Sequence, residues 1–202
     1  MIIVDVETTG LDPIRNSILS IGALDLSNPK NQFYGECGIW KGASISKTAL
    51  KINGFTRKQI RDNKKTPGEL LKEFLEWAKR TKTKKIGGYY TRFDYSFLKS
   101  TADRFSIKFP FSPDVLDLHD IFCKKMGMDK AMYEGILLFS LNEIMISLGM
   151  PPEPDPHNAL RGAKYTAEGI SRVKNGKNLL KEFMNYPVTG KDGMQVKILS
   201  FG

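Results

Sequence analysis

The sequence predicts an α/β protein in which a mixed central sheet is flanked by helices. Three observations support this fold class. Segments with the alternation or apolar runs of strands come first, helical patterns follow, and one more strand-like segment lies between helices. This order is typical of a layered arrangement, because helices bury the apolar faces that a sheet would otherwise expose.

The first three predicted strands follow one another along the chain, so we expect an antiparallel meander. Met1–Val6 is an apolar, β-branched run, and Ser17–Leu26 alternates between apolar and polar residues. A third strand is predicted at Gln32–Trp40, with the Asn28-Pro29 pair as the preceding hairpin turn. A fourth strand at Lys84–Tyr90 lies among the helices and is expected to pair in parallel.

Helices are predicted mostly in the second half of the chain. The first begins at the Thr66-Pro67 pair, where Glu69 completes a capping box, and continues through Ala78. The other predicted helices are Asp94–Phe105, Asp114–Met126, Ser140–Leu148, His157–Val173 and a last short one at Asn178–Phe183. We expect residues 1–175 to form one domain, and 176–202 to be a C-terminal helix and tail that joins or extends it.

Composition and charge indicate a globular protein with a polyanionic partner. Of the 202 residues, 41% are hydrophobic and 26% charged, which excludes disordered and collagen-like classes. Neither a membrane-spanning run nor a signal peptide occurs, so we expect a cytoplasmic protein without a membrane partner. The net charge of +9 favours nucleic acid. The basic cluster Lys47–Lys65 is expected to contact phosphates, with a solvated basic face as the alternative.

Two acids in the first strand are the clearest sign of chemistry. Asp5 and Glu7 are two residues apart, so both side chains project from one face of an otherwise apolar strand. Neighbouring buried carboxylates are costly unless a cation neutralises them, and oxygen ligands suit Mg²⁺ or Mn²⁺. The alternative is that both acids lie at a solvated edge.

Two further segments place polar side chains at the ends of predicted elements. Asp94 lies at a strand-to-helix junction, where it is either a site residue or an ordinary helix N-cap. His157 opens the first turn of a helix after a proline-rich loop, where the helix dipole favours the neutral imidazole of a base. An ordinary exposed histidine is the alternative there.

Together, these segments resemble the DEDDh 3'-5' exonuclease superfamily, the DnaQ-like group that includes proofreading exonucleases, oligoribonuclease and ribonuclease T. The resemblance runs from Ile2 to about Ile170 and is carried by VDVETTG, FDYSFL and HNALRGAKYTA in that order. Shorter similarities at INGFT and LNE support it. The fold of this family is ribonuclease H-like, which agrees with the mixed sheet predicted above.

The resemblance implies a hydrolase that removes nucleotides from the 3' end of single-stranded DNA or RNA with two Mg²⁺ or Mn²⁺ ions. Asp5, Glu7 and Asp94 would bind the metal, and His157 would be the general base. The residues implied in holding the substrate are Thr8, Thr9, Gly10, Asn53, Phe93 and Phe97. Many relatives are dimers, so a homodimer is an open expectation.

The sequence departs from the family pattern five residues after His157, where Gly162 replaces the fourth acid. Asp155 belongs to the preceding loop and Glu168 to another face of the helix, so neither is a convincing substitute. Local folding gives no reason for this glycine, which costs about 1 kcal/mol relative to alanine inside a helix. We therefore expect impaired catalysis. The alternative is a catalytically dead nucleic-acid binder or a protein-interaction module on the same fold.

A second departure is the Tyr89-Tyr90 pair, where many relatives have His-Asn. The two rings either pack inside the protein or reshape the edge of the substrate groove. Packing is the favoured interpretation.

Overall fold

The fold is a five-stranded mixed sheet with helices against both faces. The computed structural model describes residues 1–81 and 83–189. The strands are β1 (Ile2–Thr8), β2 (Ile18–Asp25), β3 (Asn28–Glu36), β4 (Ile86–Gly88) and β5 (Leu116–Asp117). The α-helices are α1 (Lys47–Asn53), α2 (Arg57–Asp62), α3 (Pro67–Lys79), α4 (Thr91–Arg104), α5 (Leu118–Lys125), α6 (Lys130–Tyr133), α7 (Leu141–Ser147) and α8 (Ala159–Asn175). A 3-10 helix follows at Lys181–Phe183.

The strand order is β3-β2-β1-β4-β5. β1 and β2 are antiparallel, as are β2 and β3, so the predicted meander is confirmed. β4 runs parallel to β1 and to β5, which confirms the mixed sheet and the α/β fold class. The parallel strands end at the same edge of the sheet, where open α/β sheets bind their ligands.

The hairpin between β2 and β3 turns earlier than predicted. Asp25 pairs with Asn28, so residues 26–27 form the turn and the prediction of an Asn28-Pro29 turn is wrong. Pro29 lies inside β3 instead, which is possible because β3 is an edge strand and one proline there removes no essential hydrogen bond. β3 consequently ends at Glu36, earlier than expected.

The capping signals predicted helices more accurately than the apolar periodicity did. α3 begins at Pro67 with the expected capping box between Thr66 and Glu69. The short helices α1, α2 and α6 were not predicted, because helices of four to seven residues show too few turns for a periodic pattern. The predicted helix from Asp114 instead begins with β5 and becomes helical only at Leu118.

Two cores lie on opposite faces of the sheet, and β1 contributes to both. Ile2, Val4 and Val6 pack with the core of α3 and α4, whereas Ile3 packs with the core of α5, α7 and α8. Side chains alternate along a strand, so the odd-numbered positions of β1 face α8. Asp5 therefore belongs to the face that α8 covers.

A buried ion pair within α8 holds the segment that follows this helix through hydrogen bonds to its backbone. Arg172 and Glu168 are fully buried, with Arg172 Nε 2.9 Å from Glu168 Oε1. Arg172 also donates to the carbonyl oxygens of Phe183 and Tyr186, while Glu168 accepts the Leu180 N–H. The predicted last helix is the 3-10 turn, and residues 190–202 of the predicted tail lie outside the described residues. Within the described ranges, no helix has the length and hydrophobicity that crossing a membrane requires.

Candidate active site

A cavity of about 410 Å³ lies where β1 ends, between α1, α4 and α8. Asp5, Glu7, Asp94 and His157 all line it, and Gly162 forms part of its wall. These residues come from separate elements spread over most of the chain. The fold therefore brings together the four residues that the sequence singled out as catalytic.

The approach of α8 to β1 depends on a glycine in β2. Gly22 pairs with Asp5, and a Cβ at this glycine would lie 2.1 Å from the carbonyl carbon of Ala159 and from the Leu160 nitrogen. Only a residue without a side chain leaves room for the first turn of α8 here. This contact places the start of α8 directly beside the Asp5 carboxylate.

Gly162 is in direct contact with Asp5. A Cβ at residue 162 would lie 2.4 Å from Asp5 Oδ2 and 3.0 Å from its Cγ. Local folding gives no reason for glycine at this position, but a side chain here would meet Asp5, a contact that exists only in the packed structure. The Asp5 carboxylate occupies the space into which a side chain at position 162 would extend.

Asp94 is not the N-cap of its helix. α4 begins at Thr91, three residues earlier than predicted, after Tyr90 in the left-handed conformation (φ 53°). The Asp117 carboxylate holds this turn by accepting the backbone N–H groups of Tyr90 (3.2 Å) and Thr91 (2.7 Å). Asp94 is consequently 2% exposed, and its Oδ1 accepts the Val6 N–H at 3.0 Å.

His157 lies just before α8 rather than in its first turn, because Asn158 is the N-cap. The His157 backbone N–H donates to the Ile52 carbonyl at 2.9 Å, which ties this loop to α1. Its Nε2 lies 3.8 Å from Asp155 Oδ1. The imidazole side chain is 40% exposed, so it remains open to the cavity and to solvent.

Glu153 is a cavity residue that the sequence analysis missed. It is 8% exposed, and its backbone N–H donates to Asn142 Oδ1 at 2.8 Å. Its Oε1 lies 3.4 Å from Arg161 Nε, and Arg161 also donates to the carbonyl oxygens of Pro154 and Pro156. The sequence feature that could have identified Glu153 is a carboxylate between two prolines, four residues before His157.

Burial and mutual repulsion dominate the electrostatics of the site. Burial raises the pKa of Asp5 well above its usual value, and the charges of Asp94 and Glu7 raise this pKa further. Burial and, to a smaller extent, the charge of Glu153 raise the pKa of Glu7 to about 7, against the opposing effect of Arg161. Burial raises the pKa of Asp94 as well, against the Val6 N–H. The cluster therefore carries more negative charge than its surroundings neutralise.

This donor set fits a hard divalent cation. The carboxylate oxygens are the ligands that Mg²⁺ and Mn²⁺ prefer, and a dication would relieve the repulsion that raises these pKa values. Among the described residues, no three acidic, histidine or cysteine side chains lie close enough to enclose an ion as they stand. Binding would therefore require the carboxylates to turn toward one another.

The predicted substrate residues divide into two groups. Thr8, Gly10, Asn53 and Phe93 line the cavity, and Asn53 Nδ2 donates to the Thr8 carbonyl at 3.0 Å. Thr9 does not line it, because it is fully buried and its hydroxyl donates to the Ser44 carbonyl. Phe97 does not line the cavity either. It is 1% exposed and packs in the core beneath Phe93, with ring centroids 4.8 Å apart.

An apolar rim surrounds the mouth of the cavity. Leu11 is 84% exposed, Tyr90 52% and Ile52 46%, and all three line the cavity. Tyr89 instead donates its hydroxyl to the Phe139 carbonyl at 2.8 Å. Tyr89 therefore packs against the core, as favoured, while also lining the cavity, whereas the exposed Tyr90 forms part of the groove edge.

The chain matches the exonuclease family model (RNase_T) over residues 2–169. Relatives include a PolC-type DNA polymerase III of Thermotoga petrophila, 29% identical over 171 residues, which cover 85% of this chain and 12% of the polymerase. The 3'-5' DNA exonuclease Cap18 of Escherichia coli is 27% identical, covering 82% of this chain and 86% of Cap18. Ribonuclease T of Wigglesworthia glossinidia brevipalpis is 28% identical, covering 86% and 84%. The chain thus spans about an eighth of the length of the PolC-type relatives.

Solved structures share the fold at low sequence identity. The nuclease domain of 3'hExo, a DEDDh family member bound to rAMP, superposes with a TM-score of 0.70 at 18% identity, covering 89% of this chain and 94% of that domain. A complex of E. coli ExoI with single-stranded DNA gives a TM-score of 0.64 at 18% identity, covering 87% and 41%. The cell-death related nuclease CRN-4 gives 0.68 at 16% identity, covering 88% and 64%. These likenesses confirm the ribonuclease H-like fold, and with the family match they place the chain in the DEDDh 3'-5' exonuclease superfamily.

Proposed function

We propose that this chain removes nucleotides from the 3' end of single-stranded nucleic acid by hydrolysis of the terminal phosphodiester. The observation that carries this proposal is the convergence of Asp5, Glu7, Asp94 and His157 on one cavity at the carboxyl end of β1. Support also comes from Cap18, which is named a 3'-5' DNA exonuclease, and from ExoI, which was crystallised with single-stranded DNA. DNA and RNA both remain candidate substrates, since ribonuclease T is another relative.

Each polar residue of the cavity has a role in this reaction. Asp5, Glu7 and Asp94 would hold Mg²⁺ or Mn²⁺. Two such ions supply an activated water and stabilise the charge on the attacking and leaving oxygens. His157 would take the proton of the attacking water, because its imidazole is open to the cavity.

The apolar rim would hold the terminal nucleotides. Bases stack on exposed aromatic and apolar side chains without regard to sequence. Tyr90 and Phe93 lie side by side, with ring centroids 6.5 Å apart and nearly parallel planes. Leu11 and Ile52 line the same cavity. This arrangement suits an unpaired strand, whose bases are free to stack, better than a duplex.

The basic cluster would bind the nucleic-acid backbone leading to the cavity. Lys47 and Lys51 are exposed on α1, the helix that also lines the cavity. Part of the cluster is neutralised, because Lys58 and Arg61 pair with Asp62. Binding should therefore weaken with salt, but less steeply than the number of basic residues alone implies. A homodimer and a cytoplasmic location stay predictions from the sequence.

Gly162 favours a second candidate function. This function is nucleic-acid binding without catalysis. Gly162 contributes no metal ligand where the family has its fourth acid, and the loss of a ligand is expected in a binder that no longer cuts. Both candidates share the rim and the basic cluster, so binding alone does not distinguish them. A protein-interaction module would require neither binding nor cutting.

Parallel cutting and binding assays distinguish these functions. Single-stranded DNA and RNA oligonucleotides labelled at the 5' end would be incubated with Mg²⁺ or Mn²⁺ and, as controls, with EDTA or Asp94→Asn protein. An enzyme gives a metal-dependent ladder that shortens from the 3' end. Binding without cutting, with cutting gained by Gly162→Asp, identifies the catalytically dead binder. If the chain neither binds nor cuts the oligonucleotides in any condition, the nuclease proposal is contradicted.

A further inference from the structure

We propose that Glu153 supplies the carboxylate that the family places at the position of Gly162. The loop before α8, rather than the helix itself, would then provide the fourth acid of the cation site. This inference rests on the proposed function. It makes Glu153 a further metal-binding residue of the same reaction and changes the expectation that the site is impaired.

The helix supplies no carboxylate of its own at this position, where a side chain would displace Asp5. The Asp5 Oδ2 atom lies 2.4 Å from where a Cβ of residue 162 would be. In this chain, a fourth acid would come from another element that reaches the same cavity. The acidic residues lining the cavity are Asp5, Glu7, Asp94 and Glu153. Of these four, only Glu153 has no counterpart in the motifs that resemble the family.

Three features fix the position of Glu153 at the cavity. Its backbone N–H is fixed by Asn142 Oδ1 at the start of α7, at 2.8 Å. Pro152 and Pro154 flank it, which restricts the backbone on both sides. The side chain is buried and lines the cavity together with Asp5 and Glu7. Glu153 would share a cation with these acids once the carboxylates of the cavity turn toward one another.

Other acids near α8 do not fit this role. The side chain of Asp155 is 90% exposed and turns toward His157. Glu168 is fully buried, and its two carboxylate oxygens are used by Arg172 and by the backbone N–H groups of Leu179 and Leu180. Asp155 therefore points into solvent, and the carboxylate of Glu168 is already occupied by its own partners.

Arg161 gives Glu153 an alternative role that must be tested. The 3.4 Å contact between Arg161 Nε and Glu153 Oε1 could serve only to fasten the loop to α8. In that case, removing either partner would have the same consequence. If Glu153 binds the cation, the two removals differ, because only the loss of Glu153 removes a negative charge from the site.

The test is Mn²⁺ binding to the full chain by isothermal titration calorimetry, compared with Glu153→Gln, Glu153→Asp and Arg161→Gln. Glu182→Gln is the matched control, since Glu182 also pairs with a basic residue of α8, Lys164, at 3.3 Å. Melting in EDTA checks that each variant is folded. We expect Glu153→Gln to lower Mn²⁺ affinity at least about 10-fold. Glu153→Asp should bind better than Glu153→Gln, and the Arg161 and Glu182 variants should not lose affinity.

Three results would overturn the inference: no Mn²⁺ binding by the unchanged chain, unchanged affinity in Glu153→Gln, or an equal loss in Arg161→Gln. A nuclease assay on the same proteins separates this inference from the proposed function. Mn²⁺ binding that depends on Glu153 without any cutting refutes only the nuclease. Cutting and Mn²⁺ binding that both survive Glu153→Gln refute only the role of Glu153.

Discussion

Replacing Gly162 with alanine should harm the metal site while leaving the fold intact. The added Cβ would lie 2.4 Å from Asp5 Oδ2, far inside the contact distance of a carbon and an oxygen. The neighbour is the end of a flexible side chain, so Asp5 can rotate away. This rotation removes the carboxylate from the position in which it faces Glu7 and Asp94.

The effect on stability is the sum of two small opposing contributions. Alanine is favoured over glycine in a helix by about 1 kcal/mol. Forcing Asp5 out of its preferred rotamer costs about 0.5–1.5 kcal/mol. The free energy of unfolding in EDTA should therefore change by less than about 1 kcal/mol, which is a shift in Tm of roughly 2–4 °C or less for a chain of this size.

The effect on metal binding should be much larger. Displacing a ligand is expected to lower Mn²⁺ affinity and nuclease activity at least about 10-fold. Calorimetry measures the affinity, and thermal melting in EDTA measures the stability. Gly169→Ala is the matched control, because this glycine lies in the same helix but its Cβ would meet the methyl groups of Met145 and Leu118. That variant should change stability and leave Mn²⁺ affinity unchanged.

This prediction is wrong if Gly162→Ala has the same Mn²⁺ affinity and the same nuclease activity as the unchanged chain. Asp5 would then not be the residue that requires a glycine at position 162. It also fails if Gly162→Ala and Gly169→Ala lose metal affinity equally, because the loss would then be a general effect of altering α8.

Four further predictions concern other parts of the molecule. In EDTA, urea unfolding should show roughly 2–3 kcal/mol less stability at pH 8 than at pH 5. The raised pKa of Glu7, about 7, contributes a difference of this size, because the folded state binds a proton that the unfolded state has released, and the two other cavity acids with raised pKa values act in the same direction. Gly22→Ala should lower the free energy of unfolding by about 1–3 kcal/mol, since its Cβ would lie 2.1 Å from the backbone of α8. Arg172→Met should lower this free energy by about 3–5 kcal/mol, because Glu168 stays buried without its cation. Tyr90→Ala should raise KM for oligonucleotides roughly 10-fold with little change in kcat, since it removes a stacking surface.

Each of these four has a result that contradicts it. Glu7→Gln should flatten the pH dependence, and an equal slope in this variant would exclude Glu7 as its source. Unchanged melting of the Gly22 or Arg172 variant would refute the packing or ion-pair argument, respectively. A fall in kcat at constant KM for Tyr90→Ala would mean that the ring acts on chemistry rather than on binding.

The sequence predicted those features that depend on local patterns. The apolar run with acids at positions 5 and 7 specified both β1 and the face on which its carboxylates project. The capping box at Thr66 and Glu69 gave the start of α3 within one residue. The order of three motifs was sufficient to place Asp94 and His157 in the same cavity as the strand acids.

The remaining features depend on contacts between distant residues. α4 starts early because Asp117, from β5, accepts the N–H groups of Tyr90 and Thr91. No local pattern reveals that interaction. Gly162 looked like a helix defect, because its contact with Asp5 exists only once α8 has packed on β1. Glu153 was overlooked for the same reason, since its place in the cavity follows from how the loop before α8 folds back.

The most direct test of the central claim, that this chain is a working exonuclease, is a time course of cleavage of 5'-labelled single-stranded oligonucleotides in Mg²⁺ or Mn²⁺. Asp5→Asn protein, which has the same shape with one charge fewer, is the control. We expect a ladder that shortens from the 3' end with the unchanged chain, no ladder in EDTA and no ladder with Asp5→Asn. Full-length oligonucleotide at every time point, or a ladder that persists with Asp5→Asn, would contradict it.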